Sequence, residues 1–266
     1  MFEEITIFIP SKGRPEEQVT LSNLPEILHP RVKILVDEDE FEEYEDQMYP
    51  VEIVGLPELV TGIGNVRQWA IENCETPYAF LLDDDMIFFK RIGETTSLEK
   101  CTEQTCIEMF QELTDWLSLE GYPVVGVSAR QGNNRVEEPF KDVTRQMNFH
   151  GIDVNLFKHY GLKFNKQEVM EDFHMTLDLL SLGIPNRVMY QWCWNQKGSN
   201  EKGGCSTYRT WEMQKRNAEQ LAEAFPDFVT VVKKKTKTTW KGMNERYDVR
   251  VQWKKAYEQG VKSNEL

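Results

Sequence analysis

The stretch Tyr78-Ala79-Phe80-Leu81-Leu82-Asp83-Asp84-Asp85-Met86-Ile87-Phe88-Phe89 constrains this chain more than any other. Five mostly apolar residues run straight into three carboxylates, and apolar residues resume at once. An uninterrupted apolar run of this length suits a strand covered on both faces, as in a parallel sheet. Three acids cannot stay inside such a core, because unpaired buried charge costs far more than the strand's packing returns. The strand therefore ends there, with the acids at its carboxyl edge, which is where open α/β sheets bind ligands. On an extended backbone Asp83 and Asp85 project to one side and Asp84 to the other. Two same-side carboxylates form a hard oxygen site suited to Mg2+ or Mn2+, whose shell substrate phosphates commonly complete. A solvated acidic turn is the plainer alternative, and the buried strand ahead of it argues against that.

The residues around this stretch read as half of a doubly wound sheet. Ile5–Ile9 is a strand stopped by Pro10, and Ser11-Lys12-Gly13-Arg14-Pro15 follows as a loop with two cations leading to a helix. A strand, a basic loop and a helix start together make a seat for phosphate or nucleotide. The glycine spacing matches neither a P-loop nor a dinucleotide fingerprint. Lys33–Asp37 is a second strand ending in an acid, Val51–Val54 a third, and Val66–Cys74 a helix entered through Gly62-Ile63-Gly64-Asn65. Further along, Thr102–Leu119 has a helical apolar face, Pro123–Ser128 is a strand, and Arg130–Asp142 a polar loop beside the site. Gln146–Val154 reads as a strand, Glu171-Asp172 opens a helix over Met175–Leu182, and Asn186–Trp194 returns as a strand. Asn195–Ser206 reads as a glycine-rich lid and Thr207–Phe225 as a helix. Arg246–Trp253 alternates with Tyr247, Val249, Val251 and Trp253 on one face, as a half-buried strand does.

Charge narrows the partners. The net charge is −13, with eight acids and no base between Asp37 and Asp46. Against that, Lys233–Lys255 holds nine basic residues and only Glu245 and Asp248 as acids. Such asymmetry points to an anionic partner at one edge, a solvated basic face being the commoner explanation of any lysine run. No apolar run approaches the roughly 20 residues of a membrane helix, and Met1-Phe2-Glu3-Glu4 is unlike a signal peptide. Five cysteines without a CxxC pair and four histidines speak against structural zinc and for reduced thiols in a cytoplasmic protein.

Taken together, the Ile-Pro-Ser-Lys-Gly-Arg-Pro opening, Asp37, Gly64-Asn65-x-Arg67, Leu-Leu-Asp-Asp-Asp and the late Glu171-Asp172 resemble a GT-A glycosyltransferase over roughly residues 5–195. The opening resembles in particular the TET/JBP-associated enzymes of phages and kinetoplastids, which glycosylate hydroxymethylated pyrimidines in DNA. The resemblance implies a Rossmann-like, mostly parallel α/β sheet flanked by helices, with a C-terminal β/α extension. It implies a catalytic core over 1–200, with a nucleotide-sugar half at 1–90 and an acceptor half at 91–200. Residues 201–266 would form a C-terminal helix and basic β extension packed on that core. The donor would be a UDP-sugar on Pro10, Ser11, Lys12, Gly13, Arg14, Asp37, Asn65, Arg67, Asp83 and Asp84. Asp83 and Asp85 would hold Mn2+ or Mg2+, and Asp172, beside Glu171, would be the general base of an inverting transfer. His174, Asn195 and Cys205 are candidates for a third protein ligand. The acceptor would be double-stranded DNA in the host cytoplasm of a phage, tracked by Lys233, Lys234, Lys235, Lys237, Trp240 and Lys241.

Each role has a plainer rival. Asp37 could cap the acidic helix after it, Glu171-Asp172 could be helix-start acids favoured by the macrodipole, and Arg67 could be a surface charge. His150 and His174 read as structural. For the whole chain, the alternatives are the same catalytic fold on a glycan, lipid or protein acceptor, or a non-catalytic nucleotide-binding module.

Overall fold

The protein was analysed as a computed structural model, which describes residues 2–196, 208–240 and 243–265, the side chains of 236–240 and 243 excepted. The first half builds β1 (Ile5–Pro10), α1 (Val19–Asn23), β2 (Val32–Asp37), α2 (Phe41–Glu45), β3 (Glu52–Leu56), α3 (Ile63–Glu72), β4 (Tyr78–Leu81), β5 (Met86–Arg91) and β6 (Leu98–Lys100). The middle adds α4 (Glu103–Ser118), β7 (Val124–Ala129), α5 (Arg130–Asn133), β8 (Phe140–Asp142), β9 (His150–Asp153), α6 (Val154–His159), α7 (Glu171–Ser181) and β10 (Arg187–Gln196). The chain closes with α8 (Trp211–Ala224), β11 (Val229–Trp240), β12 (Met243–Val251) and α9 (Trp253–Asn264).

Ten strands form one sheet in the order β3-β2-β1-β4-β9-β7-β10-β5-β6, with β8 paired to β10. The first four are parallel, and the pairings give β7, β10 and β6 the same direction, with β9, β5 and β8 reversed. The mostly parallel α/β sheet expected from the apolar strands is therefore present. Side chains alternate across it: Ile5, Ile7, Ile9 and Phe80 join the core under α4, while Phe8, Ala79 and Leu81 join the one under α3, α6 and α7. Helix α4 starts where Thr102 accepts from Thr105 N at 3.2 Å and covers the first core with Met109, Phe110, Leu113 and Leu117.

Several boundaries differ from the sequence reading. Gln146–Phe149 is not strand, because Asn148 takes a left-handed backbone (φ 57°) and only His150–Asp153 pairs. The Arg130–Asp142 segment is not all loop: it holds α5 and β8, gathered by buried Arg91, whose guanidinium donates to Asn133 O (2.7 Å), Glu137 O (2.9 Å) and Val136 O. Trp253 leaves the strand and opens α9, although its ring still joins Tyr247, Val249 and Val251 in a third core with α7 and α8. Asn195 belongs to β10, and the rest of the expected lid, 197–206, lies outside the described residues.

No helix among the described residues is long and apolar enough to cross a membrane. Cys74, Cys101, Cys106 and Cys193 are free thiols, and Cys205 lies outside the described residues.

Candidate active site

Because β1, β2 and β4 are parallel neighbours, the loop after Pro10, the acid Asp37 and the turn Asp83–Asp85 emerge side by side at one sheet edge. The three acids occupy the turn between β4 and β5 rather than an extended strand, so strict alternation does not set their directions. Thr20 pins the turn: its Oγ1 donates to Asp83 O at 2.5 Å and accepts from Met86 N at 2.8 Å, and its N donates to Asp84 O at 2.9 Å.

Asp84 turns inward and is 4% exposed. It accepts from Ser11 Oγ at 2.6 Å and from Arg14 Nη1 at 2.7 Å, tying the triad to the first loop. Arg14 also stands 3.6 Å from Asp85. Ser11 is held in turn by Gln18 Nε2 (2.8 Å) and Tyr44 (2.9 Å), whose hydroxyl accepts from Arg14 N at 3.1 Å. Burial pushes the Tyr44 phenol up to about 12, so it stays a neutral donor. Lys12 pairs with Asp37 at the end of β2, a hydrogen bond that raises the lysine's pKa. Gly13 N donates to Glu40 Oε2 at 2.7 Å. Asn65 sits in the first turn of α3 with its amide on Thr61 O at 2.8 Å.

Arg67 is neither a surface charge nor a group open to solvent. It is 3% exposed and bridges Asp83 (2.8 Å) and Glu171 (2.5 Å). Gly64 permits this reach: a Cβ there would lie 2.8 Å from Gln167 O and 2.9 Å from Phe164 O, so α3 could not approach the segment leading into α7. Asp83 also accepts from Asn148 Nδ2 at 2.5 Å, and Asn148 in turn donates to Gln196 Oε1 at 3.2 Å. Met170, left-handed at φ 64°, turns the chain into α7, whose first residues are Glu171 and Asp172. Asp172 is 8% exposed, and its Oδ1 accepts from Phe173 N at 2.9 Å. Burial raises both carboxyls, against the pull of Arg67 on Glu171 and of Arg145 and Arg67 on Asp172.

Burial together with the like charges of Asp83 and Asp84 pushes Asp85 up to about 7. Among the described residues no three His, Cys, Asp or Glu side chains group to cage a metal by themselves. The residues fit a divalent ion nonetheless: two neighbouring carboxylates repel at a rim where substrate phosphates could complete the shell, a common way of holding Mg2+. Of the third-ligand candidates, His174 faces Asp178 (3.8 Å) and Phe225 in the α7–α8 core, because its helical position turns it away from the triad. Asn195 lies in β10 opposite Ile87, and Cys205 is outside the described residues.

A family profile described as TET-Associated Glycosyltransferase matches residues 5–204. The chain belongs to that family. It is similar to the "Beta-glucosyl-HMC-alpha-glucosyl-transferase" of Enterobacteria phage T6, at 22% identity over 84% of this chain and 82% of the relative. The protein of that name from phage T2 is 20% identical over the same shares. Among solved structures, S. aureus TarS 1-349 with UDP-GlcNAc superposes with a TM-score of 0.53 at 12% identity, over 82% of this chain and 66% of that one. The chain thus spans just under two thirds of that fragment. The mannosyltransferase PcManGT of Pyrobaculum calidifontis, with GDP-Man and Mn2+, gives 0.54 at 13% identity over 84% and 64%. These likenesses show the GT-A fold.

In this TET-associated glycosyltransferase the basic C-terminal residues fall beyond the family match, on the β11–β12 hairpin. Lys233 stacks over the Tyr247 ring (5.2 Å) and Lys234 pairs with Asp248 (2.7 Å). Lys235 registers with Glu245, Lys237 and Trp240 lie in β11 with their side chains outside the description, and Lys241 is outside the described residues. Residues that sequence reasoning missed are Gln18, Thr20, Tyr44 and Asn148. Thr20, Tyr44 and Asn148 act on partners up to 66 positions away, a relation with no local signal.

Proposed function

We propose that this chain transfers a sugar, glucose or a pentose such as arabinose, from a UDP-sugar to the hydroxymethyl group of a 5-hydroxymethylpyrimidine, hydroxymethylcytosine or hydroxymethyluracil, in DNA. The observation that carries the reading is the ion-pair chain Arg14–Asp84 and Asp83–Arg67–Glu171, which gathers the first loop, the acid turn and the start of α7 into one site. In this reading Pro10, Ser11, Lys12, Gly13 and Arg14 surround the nucleotide, Asp37 reaches its uracil or ribose, and Asn65 flanks it. Asp85, with Asp83, holds Mn2+ or Mg2+. When bound, such an ion neutralises charge on the departing nucleoside diphosphate.

Asp172 takes the proton of the acceptor hydroxyl on Oδ2, since Oδ1 is committed to Phe173 N. Burial raises its proton affinity toward that of a useful general base. Arg67 acts indirectly, fixing Asp83 and Glu171 so that both substrates meet in line.

The phage relatives support a hydroxymethylcytosine-derived acceptor, since both are named as α-glucosyl transferases to β-glucosyl-HMC. The same names favour a second reading, in which the accepting hydroxyl belongs to a sugar already on the base.

Mass spectrometry of hydroxymethylated and of glucosylated DNA, incubated with a panel of UDP-sugars and Mn2+, tests both. The expected outcome is a gain of one sugar on one of the two DNAs. Asp85→Asn should lower the rate by on the order of a hundredfold or more, the scale of losing one electrostatic stabiliser, with no fall in melting temperature. UDP release with glycan acceptors but no change in DNA would move the chain to the glycan, lipid or protein alternative. No UDP release with any acceptor would leave a binding module.

A further inference from the structure

We propose that the DNA acceptor is held through its phosphates by the outward face of the β11–β12 hairpin, with Lys234, Arg246 and Arg250 leading to Arg145 beside Asp172. The inference rests on the DNA reading above and names the surface that reading lacks.

The hairpin register sorts the basic residues. Lys234 lies opposite Arg246, Val232 opposite Asp248 and Thr230 opposite Arg250, and residues directly opposite in an antiparallel pair share a face. The other face carries Val229, Val231, Val249, Val251 and Tyr247, which pack into the third core against α7 and α8. Lys233 belongs to that inner face, over the Tyr247 ring. The run Lys233-Lys234-Lys235 is therefore split, and only alternate residues can act together.

The outward face is cationic. Lys234 and Arg246 remain half exposed and share one acid, Asp248, at 2.7 and 3.5 Å. Arg250 is exposed and makes no ion pair among the described residues. Arg145 makes no ion pair among the described residues, and its guanidinium lies 4.5 Å over the Phe173 ring, next in sequence to Asp172. Phe173 packs in turn on Trp253, ring centroids 5.5 Å apart, just past the end of β12, so Arg145 stands where the start of α7 meets the hairpin. On the hairpin's outward face three cations, Lys234, Arg246 and Arg250, meet one acid, Asp248, a local reversal on a chain of net charge −13. Arg246 and Arg250, four residues apart on a strand, stand roughly 13 Å apart, a span of a few backbone phosphates. Guanidinium groups suit that partner because they bind phosphate bidentately.

The test is fluorescence-anisotropy titration of a hydroxymethylated duplex from 50 to 200 mM salt, comparing the wild-type chain with Arg145→Gln, Arg246→Ala/Arg250→Ala and Lys234→Ala. Each lost phosphate contact should reduce the slope of log affinity against log salt by about one. Lys233→Ala should move the slope less than Lys234→Ala, and Lys158→Ala on α6 should not move it. Melting curves confirm that the variants are folded; Arg145→Lys, which keeps the charge, should keep the slope even if the stacking is lost. Wild-type binding with unchanged slopes in the arginine variants overturns the track and leaves the DNA reading standing. No wild-type binding at 50 mM salt overturns the DNA reading and the track with it.

Discussion

Arg67 shows how one side chain can join two halves of a site. Its guanidinium is buried between Asp83 and Glu171, so removing it strands two carboxylates where water cannot fully replace it. Arg67→Ala should cost about 3–5 kcal/mol in urea unfolding, the usual price of breaking a buried pair from one side. Arg67→Met with Glu171→Gln should recover part of that loss, since the more deeply buried carboxylate leaves with the arginine and only the partly exposed Asp83 keeps its charge. Equal losses in the single and double variants would show that the ion pair is not the source. His150, wholly buried in β9, accepts from Gln146 Nε2 at Nδ1 (3.1 Å) and stacks edge-on to Phe164. Burial, with Arg67 adding to it, holds its pKa well below the ordinary 6.5. The unfolded chain therefore binds this proton more readily, so the contribution to stability is full above pH 6.5 and is lost as pH falls below it. The melting temperature should drop between pH 7 and 5.5, and His150→Phe should flatten that drop; an unchanged slope would refute the assignment.

At the scale of elements, α7 is the helix that brings the late pair of acids to the site. It carries Glu171 and Asp172 in its first turn, buries Met175 and Leu179 under the sheet, and offers Phe173, Leu177 and Leu180 to α8 and α9. Helix α9 docks at its far end through two glycines. A Cβ on Gly260 would lie 2.3 Å from Gly183 N and 2.5 Å from Ser181 O. Gly260→Ala should therefore destabilise by about 1–3 kcal/mol from overpacking, more than the roughly 1 kcal/mol that alanine returns in helix propensity. Faster amide exchange across Trp253–Asn264 is the expected readout, and greater protection would mean the contact is looser than drawn. The hairpin shows what periodicity can and cannot reveal. The alternation of Tyr247, Val249 and Val251 was legible, because a half-buried strand needs it. Its partner β11 was not, since a run such as Lys233-Lys234-Lys235 takes its faces only from the strand opposite.

For the whole molecule, the third core ties the chain's last segment to α7. Deleting 201–266 would uncover Phe173, Leu177 and Leu180, each worth about 1.5–3 kcal/mol when buried. That sum rivals the 5–15 kcal/mol of a typical protein, so the shortened chain should lose its cooperative melt; a sharp melt near the full-length value would show the first 200 residues to be self-sufficient. The amino-acid sequence by itself determined the parallel sheet and the edge where the acids emerge, because apolar runs and the cost of buried charge are local facts. It also carried the family, through residues close together in the chain. Only the tertiary structure decided which way the acids face and what each charge pairs with: Asp84 turns to Ser11 and Arg14, Arg67 spans Asp83 and Glu171, and Thr20 and Asn148 hold the turn. Those pairings join residues up to 104 positions apart, and a carboxylate's partner is set by what the folded chain brings within about 3 Å, a distance that spacing along the chain does not encode.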